Sequence, residues 1–516
     1  MKFPQRIRAR NLKFGLLIIP MVAVLNLLSK LPVYPDEEQW LYVNSRQQTD
    51  GTMQYLFPVC TEGFRLSQPV IWLPIRFIEW LTYSRLDLIN NIRLVGAAQG
   101  IILLIVLRIF VTRFAKNEKI AGPIVFSGLL LGLLPFLLIL NRPEQLLIIL
   151  FLVSLIAADI ISCTNNGKIL FLNLTWFIFL ILSLPAIHAK GTLFTVIAVA
   201  FFLIVNFQNQ KISSMIIVIL GSYSSIISMG IWSKRTHCPE SKFLSQVFSD
   251  ITLNPTQLDG DSLKKIAGNI IRTPKYILHL FYQDQYQSDW LAQRNSVGSA
   301  FQILANLALL VAVLIITYAV VQNFRRIGLN ISLWGKSEYL TSLFLLTIIS
   351  LAVLQRTKNF YDSYLPAVMF LLAGTLSISS LDRIKYRKVV SLSLVLTLLT
   401  TPAFFQTVSA LPKSQKASAQ VSKSVLISEC RISKEQLQSG GFILDSSLIK
   451  LFWDTPRTIY SGYIWGWWGQ DVDDTKLIAR LKPSAIIVIN DGSLEKEAGD
   501  VEIGDYICRN VNIAPN

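Results

Sequence analysis

Apolar residues in this chain come in long runs with few polar interruptions. That is the pattern of helices covered on all sides by lipid or by one another. Eleven runs of roughly 15 to 22 residues are long enough to cross a bilayer as helices. They are Leu12–Ser29, Ile92–Val111, Ile120–Leu140, Leu146–Ser162, Ile169–Ile187, Thr192–Asn206, Ile212–Trp232, Ala300–Val321, Tyr339–Leu354, Leu365–Leu381 and Val389–Val408. The alternating pattern of a β-barrel is absent. The expected fold is therefore an α-helical polytopic membrane protein with about eleven transmembrane helices.

The polar connectors orient this map. The N-terminus carries Lys2, Arg6, Arg8, Arg10 and Lys13 at the start of the first run, which reads as a retained signal anchor. Placing them inside also puts Arg113, Lys116 and Lys119 inside, then Arg325, Arg326 and Lys336, then Arg383, Lys385, Arg387 and Lys388. The N-terminus is then cytoplasmic and the C-terminus extracytoplasmic. Residues 1–408 form a transmembrane domain with outer loops 30–91 and 233–299. Val70–Leu81 and Ile266–Leu280 in those loops read as interfacial helices.

Residues 409–516 read as a small extracytoplasmic α/β domain. Gly441–Asp445 and Ala485–Asn490 are short strands rich in β-branched or aromatic residues, with a helix over Asp474–Leu481 between them. Cys430 and Cys508 bracket the domain in an oxidising compartment, where a disulfide is chemically allowed. Sequence spacing leaves its formation open.

Composition narrows the function. Of the 516 residues, 52% are hydrophobic and 16% charged, against about 25% charged in soluble domains. This excludes a disordered chain and, with five cysteines, a disulfide scaffold. The net charge of +16 sits largely in short connectors beside apolar runs, so it reads as topology signal and no nucleic-acid partner is expected. The spans are nearly free of ionisable residues. Relays that carry ions through a membrane need such residues despite their cost of at least ~2.5–3.5 kcal/mol each.

Ionisable groups gather instead at span ends that the map places outside. The first cluster is Asp36-Glu37-Glu38 after Pro35, which suits either a helix start or a carboxylate general base. The second is Arg142-Pro143-Glu144-Gln145, either an ion pair closing a turn or an anion clamp and brace for the acidic site. The third is His188-Ala189-Lys190-Gly191. Lys190 is a point charge suited to phosphate or a side chain snorkelling to the interface, and Gly191 permits close backbone approach. The fourth runs from Gln355 through Arg356, Lys358 and Tyr364 to Pro366, either an interface belt or a seat for a lipid phosphate. No His and Cys spacing for metal occurs. A divalent cation, Mg or Mn, has a place only at Asp36 and Glu37, and the sequence does not demand one.

These motifs resemble those of the GT-C-type integral membrane glycosyltransferases, which use polyprenyl-phosphate-linked sugars. The shared features are the acidic pair Asp36-Glu37, the Lys190-Gly191 turn, and Lys358 ahead of Tyr364-Leu365-Pro366. The last two point to the protein O-mannosyltransferase and lipid A aminoarabinose transferase branch. The resemblance implies sugar transfer at the outer face of a bacterial plasma membrane, in cell-envelope chemistry. It makes Asp36 the base, Glu37 its neighbour, and Lys190, Arg356 and Lys358 the phosphate binders. Arg142, Glu144, His188 and Tyr364 complete the expected substrate site. The expected partners are a polyprenyl-phosphate-linked sugar donor, a glycan, lipid or protein acceptor, and membrane lipids. The run Trp465-Gly466-Trp467-Trp468-Gly469-Gln470-Asp471 is only superficially like the WWDYG motif of oligosaccharyltransferases, so peptide recognition is not inferred. A lipid-linked glycan ligase or polymerase, and a non-catalytic flippase, remain as alternatives.

Overall fold

The computed structural model describes residues 88–516, except 133, 141, 237–259, 272–298, 329–333, 355–363, 382–385, 419–420, 446–447, 449–450, 453–454, 461–477, 480–481, 491–495, 498 and 512–516. Apolar helices are followed by a small sheet domain near the C-terminus. The helices are α1 (Leu88–Phe114), α2 (Glu118–Gly128), α3 (Leu134–Leu137), α4 (Pro143–Ser162), α5 (Gly167–Ile187), α6 (Gly191–Asn206), α7 (Lys211–Thr236), α8 (Gly260–Ile271), α9 (Ser299–Ile327), α10 (Lys336–Leu354), α11 (Tyr364–Ser379) and α12 (Tyr386–Ser418). Six described segments are long and apolar enough to cross a membrane, in α1, α4, α5, α7, α9 and α10. Gly191–Asn206, Tyr364–Ser379 and Ser391–Phe405 are shorter apolar helices. The expected first span, Leu12–Ser29, lies outside the described residues.

One expected span differs. Ile120–Leu140 is not a single helix: α2 stops at Gly128, the chain turns, and α3 is one turn long. Gly132 takes φ +57°, a left-handed backbone that glycine adopts without strain and that a right-handed helix cannot contain. Gly128 sits hard against α11, where an added Cβ would lie 2.3 Å from a methyl of Leu371. Pro135 in α3 brings no backbone N–H for a further turn. The hydrophobic run hides this break because, Ser127 apart, the residues around it are apolar or glycine.

The helices pack around aromatic side chains. Phe110 of α1, Phe151 of α4 and Phe344 of α10 touch one another pairwise through Phe344, and Phe151 meets Phe194 of α6 edge-on at 4.7 Å. Gly374 lets α11 press on α9, since a Cβ there would lie 2.4 Å from Ile316. Helix α8 is strongly two-sided, with Ile270 and Ile271 exposed while Asn269 donates to the Val353 carbonyl of α10 at 3.0 Å. The expected interfacial helix over Ile266–Leu280 thus begins earlier, and residues beyond Ile271 lie outside the described set until Ser299.

Charge closes one end of this bundle. Asp159, buried in the last turn of α4, pairs with both Arg113 and Lys336. Buried Glu338 accepts from Lys116 and from the Gly335 backbone N–H, and Arg326 donates to the Ser380 carbonyl at 2.7 Å. Arg113, Lys116, Arg326 and Lys336, which the connector pattern assigns to one side, therefore do share one end. Glu144 lies at the opposite end of α4, fifteen residues and about 22 Å away by helical rise.

A second unit holds the tail from Pro412. Helices α13 (Lys423–Glu429) and α14 (Lys434–Ser439) precede a five-stranded sheet of order β2-β1-β3-β5-β4. Its strands are β1 (Phe442–Leu444), β2 (Ile459–Tyr460), β3 (Ala485–Ile489), β4 (Val501–Ile503) and β5 (Tyr506–Asn510). Strands β2, β1 and β3 run parallel, and β5 is antiparallel to β3 and β4. The two expected strands are β1 and β3. Of the helix expected over Asp474–Leu481, Ile478 and Ala479 are among the described residues, and both are helical. Leu426, Phe442, Leu444, Phe452, Ile487 and Tyr506 fill the core on one sheet face. Cys430 and Cys508 are disulfide-bonded across it, with Cα atoms 5.8 Å apart. A capping box of Ser433 and Gln436 starts α14.

Candidate functional site

Two of the four sequence clusters meet in space. Pro143 opens α4 at a position where its missing N–H costs nothing, and it holds Arg142 in extended backbone at φ −119°, ψ 155°. The guanidinium then folds onto the first turn. Its Nε lies 3.2 Å and its Nη2 3.4 Å from the two oxygens of Glu144. The second partner comes from the turn between α5 and α6, where Lys190 Nζ lies 3.3 Å from Glu144 Oε1. One carboxylate with 2% of its side chain exposed thus sits between two cations, at 7% and 13%. Lys190 does not snorkel outward; its ammonium is drawn in to Glu144. All three contacts are longer than the 2.7–2.9 Å usual for charged pairs, so the cluster is loosely closed.

The turn carrying Lys190 is built by His188 and Gly191. The Lys190 backbone N–H donates to His188 Nδ1 at 3.0 Å, and the Gly191 N–H donates to the His188 carbonyl at 2.8 Å. An Nδ1 that accepts carries no proton, so the ring is held neutral with its proton on Nε2. Electrostatics agrees. Burial, then the Lys190 and Arg142 charges, drive the imidazole down to about 3, against an opposing pull from Glu144. Gly191 has a packing duty: a Cβ there would lie 1.8 Å from the Leu184 carbonyl oxygen. The close approach expected of this glycine is between α5 and α6.

Tyr364 joins from the fourth cluster. It is the first residue of α11, is 2% exposed, and lies within the electrostatic reach of Glu144. Its hydroxyl makes no hydrogen bond to protein. Asp36, Glu37, Arg356 and Lys358 lie outside the described residues, so the acidic pair and two of the expected phosphate cations are not placed. Among the described residues no group of three His, Cys, Asp or Glu could hold a metal ion.

Two residues of this end carry no assigned role in the sequence: Gln145, which stands in the second cluster, and Gln99, which stands in none. Gln145, 1% exposed, donates from Nε2 to the carbonyls of Gly96 and Leu138. Gln99, 6% exposed, sits one turn along α1 from Gly96. An amide within an apolar run was the available signal. Asp159 carries no assigned role either, because a single acid at the end of an apolar run looks like a surface residue.

Among the described residues, the arrangement is a buried polar cluster at a membrane-helix end, with Glu144 between Arg142 and Lys190. The fold around it is GT-C-like. The structural likeness is to ArnT from Cupriavidus metallidurans, both in its crystal structure bound to undecaprenyl phosphate and in the apo state. For the bound form the TM-score is 0.53 at 10% identity, covering 96% of this chain and 97% of that one. For the apo form the values are 0.53 and 10%, covering 97% and 98%. No protein-family model matches the sequence, and no curated protein matches it.

Proposed function

We propose that this protein transfers a sugar from a polyprenyl-phosphate-linked donor to an acceptor at the outer face of a bacterial inner membrane. The observation that carries the reading is the buried cluster of Arg142, Glu144 and Lys190 at the end of the bundle away from the basic connectors. It supports an anionic amphiphile as ligand, on a fold whose structural neighbour was crystallised with undecaprenyl phosphate.

In this reading the acceptor hydroxyl gives its proton to Asp36 and attacks the anomeric carbon opposite the phosphate. The bond from that carbon to the phosphate oxygen breaks, and the configuration inverts. The lipid phosphate leaves with its charge stabilised by Lys190, Arg356 and Lys358, an electrostatic contribution of the kind that dominates many enzymes. Glu144 and Arg142 hold Lys190 in position, and neutral His188 fixes its turn without adding a competing charge. Glu37 stands beside the base. The first step is tested by Asp36→Asn. Loss of a general base costs about 10²–10⁴ in rate, whereas Asn caps a helix nearly as well as Asp. A folded Asp36→Asn protein with normal turnover and an inactive Glu37→Gln moves the base by one residue. Normal turnover in both leaves the acidic pair structural and removes the mechanism.

A further inference from the structure

Gln145 has one amide end fully committed. Its Nε2 donates to two backbone carbonyls, those of Gly96 in α1 and Leu138 after α3. Carbonyls only accept, so the amide cannot be turned over without placing oxygen against oxygen. Oε1 is therefore fixed as an acceptor. It is buried and receives no hydrogen bond from protein. Gln99 Oε1 in α1 is also buried without a hydrogen bond, as are the hydroxyls of Thr192, two residues past Lys190, and Tyr364. Buried oxygens without partners are uncommon in folded proteins and each calls for an explanation, such as an ordered water or a ligand. Of thirteen buried side-chain nitrogen and oxygen atoms without a hydrogen bond among the described residues, these four lie at the Glu144 end, and of the four it is Gln145 Oε1 whose orientation the backbone fixes.

The chemistry of the Gln145 oxygen narrows what a ligand there can be. A phosphodiester at neutral pH has oxygen acceptors and no donor, so it cannot satisfy Oε1 of Gln145. A sugar hydroxyl or amino group can, and Glu144 is a further acceptor beside it. We propose that Gln145 and Gln99 are specificity-determining residues that accept hydrogen bonds from hydroxyl or amino groups of the donor's sugar ring. This rests on the sugar-transfer reading above and adds to it which part of the donor these residues touch.

Deoxy-sugar donors test it. Polyprenyl-phosphate sugars lacking one hydroxyl at a time, or bearing hydrogen in place of an amino group, are compared with the parent donor, using the full-length protein and its Gln145→Met and Gln99→Met variants. Met keeps the side-chain length and removes the acceptor. The wild-type protein should lose about tenfold or more in kcat/KM on at least one analogue. In the matching variant that analogue and the parent donor should come within about twofold, whatever happens to overall activity. A purely structural role lowers all donors together and leaves the ratios unchanged, which overturns the inference. Gln99→Met carries the same test if Gln145→Met fails to give monodisperse protein. Sugar transfer by the wild-type protein with unchanged ratios in both variants sinks this inference alone. Absence of transfer with every donor sinks the reading beneath it as well.

Discussion

Removing both charges of the Glu144–Lys190 pair should cost clearly less than the sum of removing each one. Glu144 Oε1 and Lys190 Nζ are 3.3 Å apart. At an effective dielectric of about 20, unit charges at that distance attract by about 5 kcal/mol. Desolvation offsets much of this, and the long contacts weaken the rest, leaving a net coupling of about 2 kcal/mol. Glu144→Gln leaves Arg142 and Lys190 facing each other and should destabilise by about 3 kcal/mol. Lys190→Met leaves Glu144 with Arg142 alone and should cost about 2 kcal/mol. The double variant should fall short of the sum by about 2 kcal/mol, a factor of roughly 30 in the unfolding equilibrium. The assay is unfolding of purified protein in bicelles, with donor kinetics measured in parallel. Additivity within about 0.5 kcal/mol refutes the coupling. The kinetics separate brace from binding site. If Lys190 meets phosphate, its loss lowers donor use by roughly tenfold to a hundredfold and the double variant stays low. Recovery of donor use in the double variant makes the cluster a brace and removes Lys190 from the phosphate site.

Three further outcomes follow from local geometry. Gly191→Ala must push α5 from α6, because its Cβ would lie 1.8 Å from the Leu184 carbonyl oxygen; thermal unfolding should shift down by several degrees, and an unshifted transition contradicts the packing. Cys508→Ser opens a loop of sequence separation 78 and should lower the stability of the tail by about 4 kcal/mol, read by proteolysis of residues beyond 412. Equal protease resistance of both proteins excludes that contribution. His188 is held at about 3 against an unfolded value near 6.5. The unfolded chain therefore binds the extra proton between those values, so stability is full above about pH 6.5 and falls as pH drops toward 3. Subtracting a His188→Asn profile should isolate this slope, and identical profiles refute the neutral buried imidazole.

Much of the fold was legible because lipid-facing and protein-facing positions are both apolar, so each crossing writes itself as a run. Helices α4, α5, α6 and α11 begin at Pro143, Gly167, Gly191 and Tyr364, close to the expected run starts at Leu146, Ile169, Thr192 and Leu365. The same uniformity hid the break after Gly128, since a left-handed glycine leaves no mark in a hydrophobic run. Arg142, Glu144 and Lys190 stood out as charges at span ends. That Glu144 reaches 46 residues along the chain to Lys190 is a property of how α4 packs against α5 and α6. Gln145 was visible as a residue but not as a site, because its meaning lies in which end of its amide the carbonyls of Gly96 and Leu138 occupy. The disulfide depended on the α13 terminus meeting β5, a distance that spacing does not give.

The central claim is that a sugar leaves a polyprenyl phosphate at this protein. Its most direct test is the purified protein in proteoliposomes with a donor labelled separately in sugar and lipid phosphate, supplied with candidate glycan, lipid and protein acceptors. The account predicts labelled acceptor and free polyprenyl phosphate in equal amounts, both depending on Asp36. Intact donor crossing the bilayer with neither product formed would contradict it and make the protein a carrier of lipid-linked sugars.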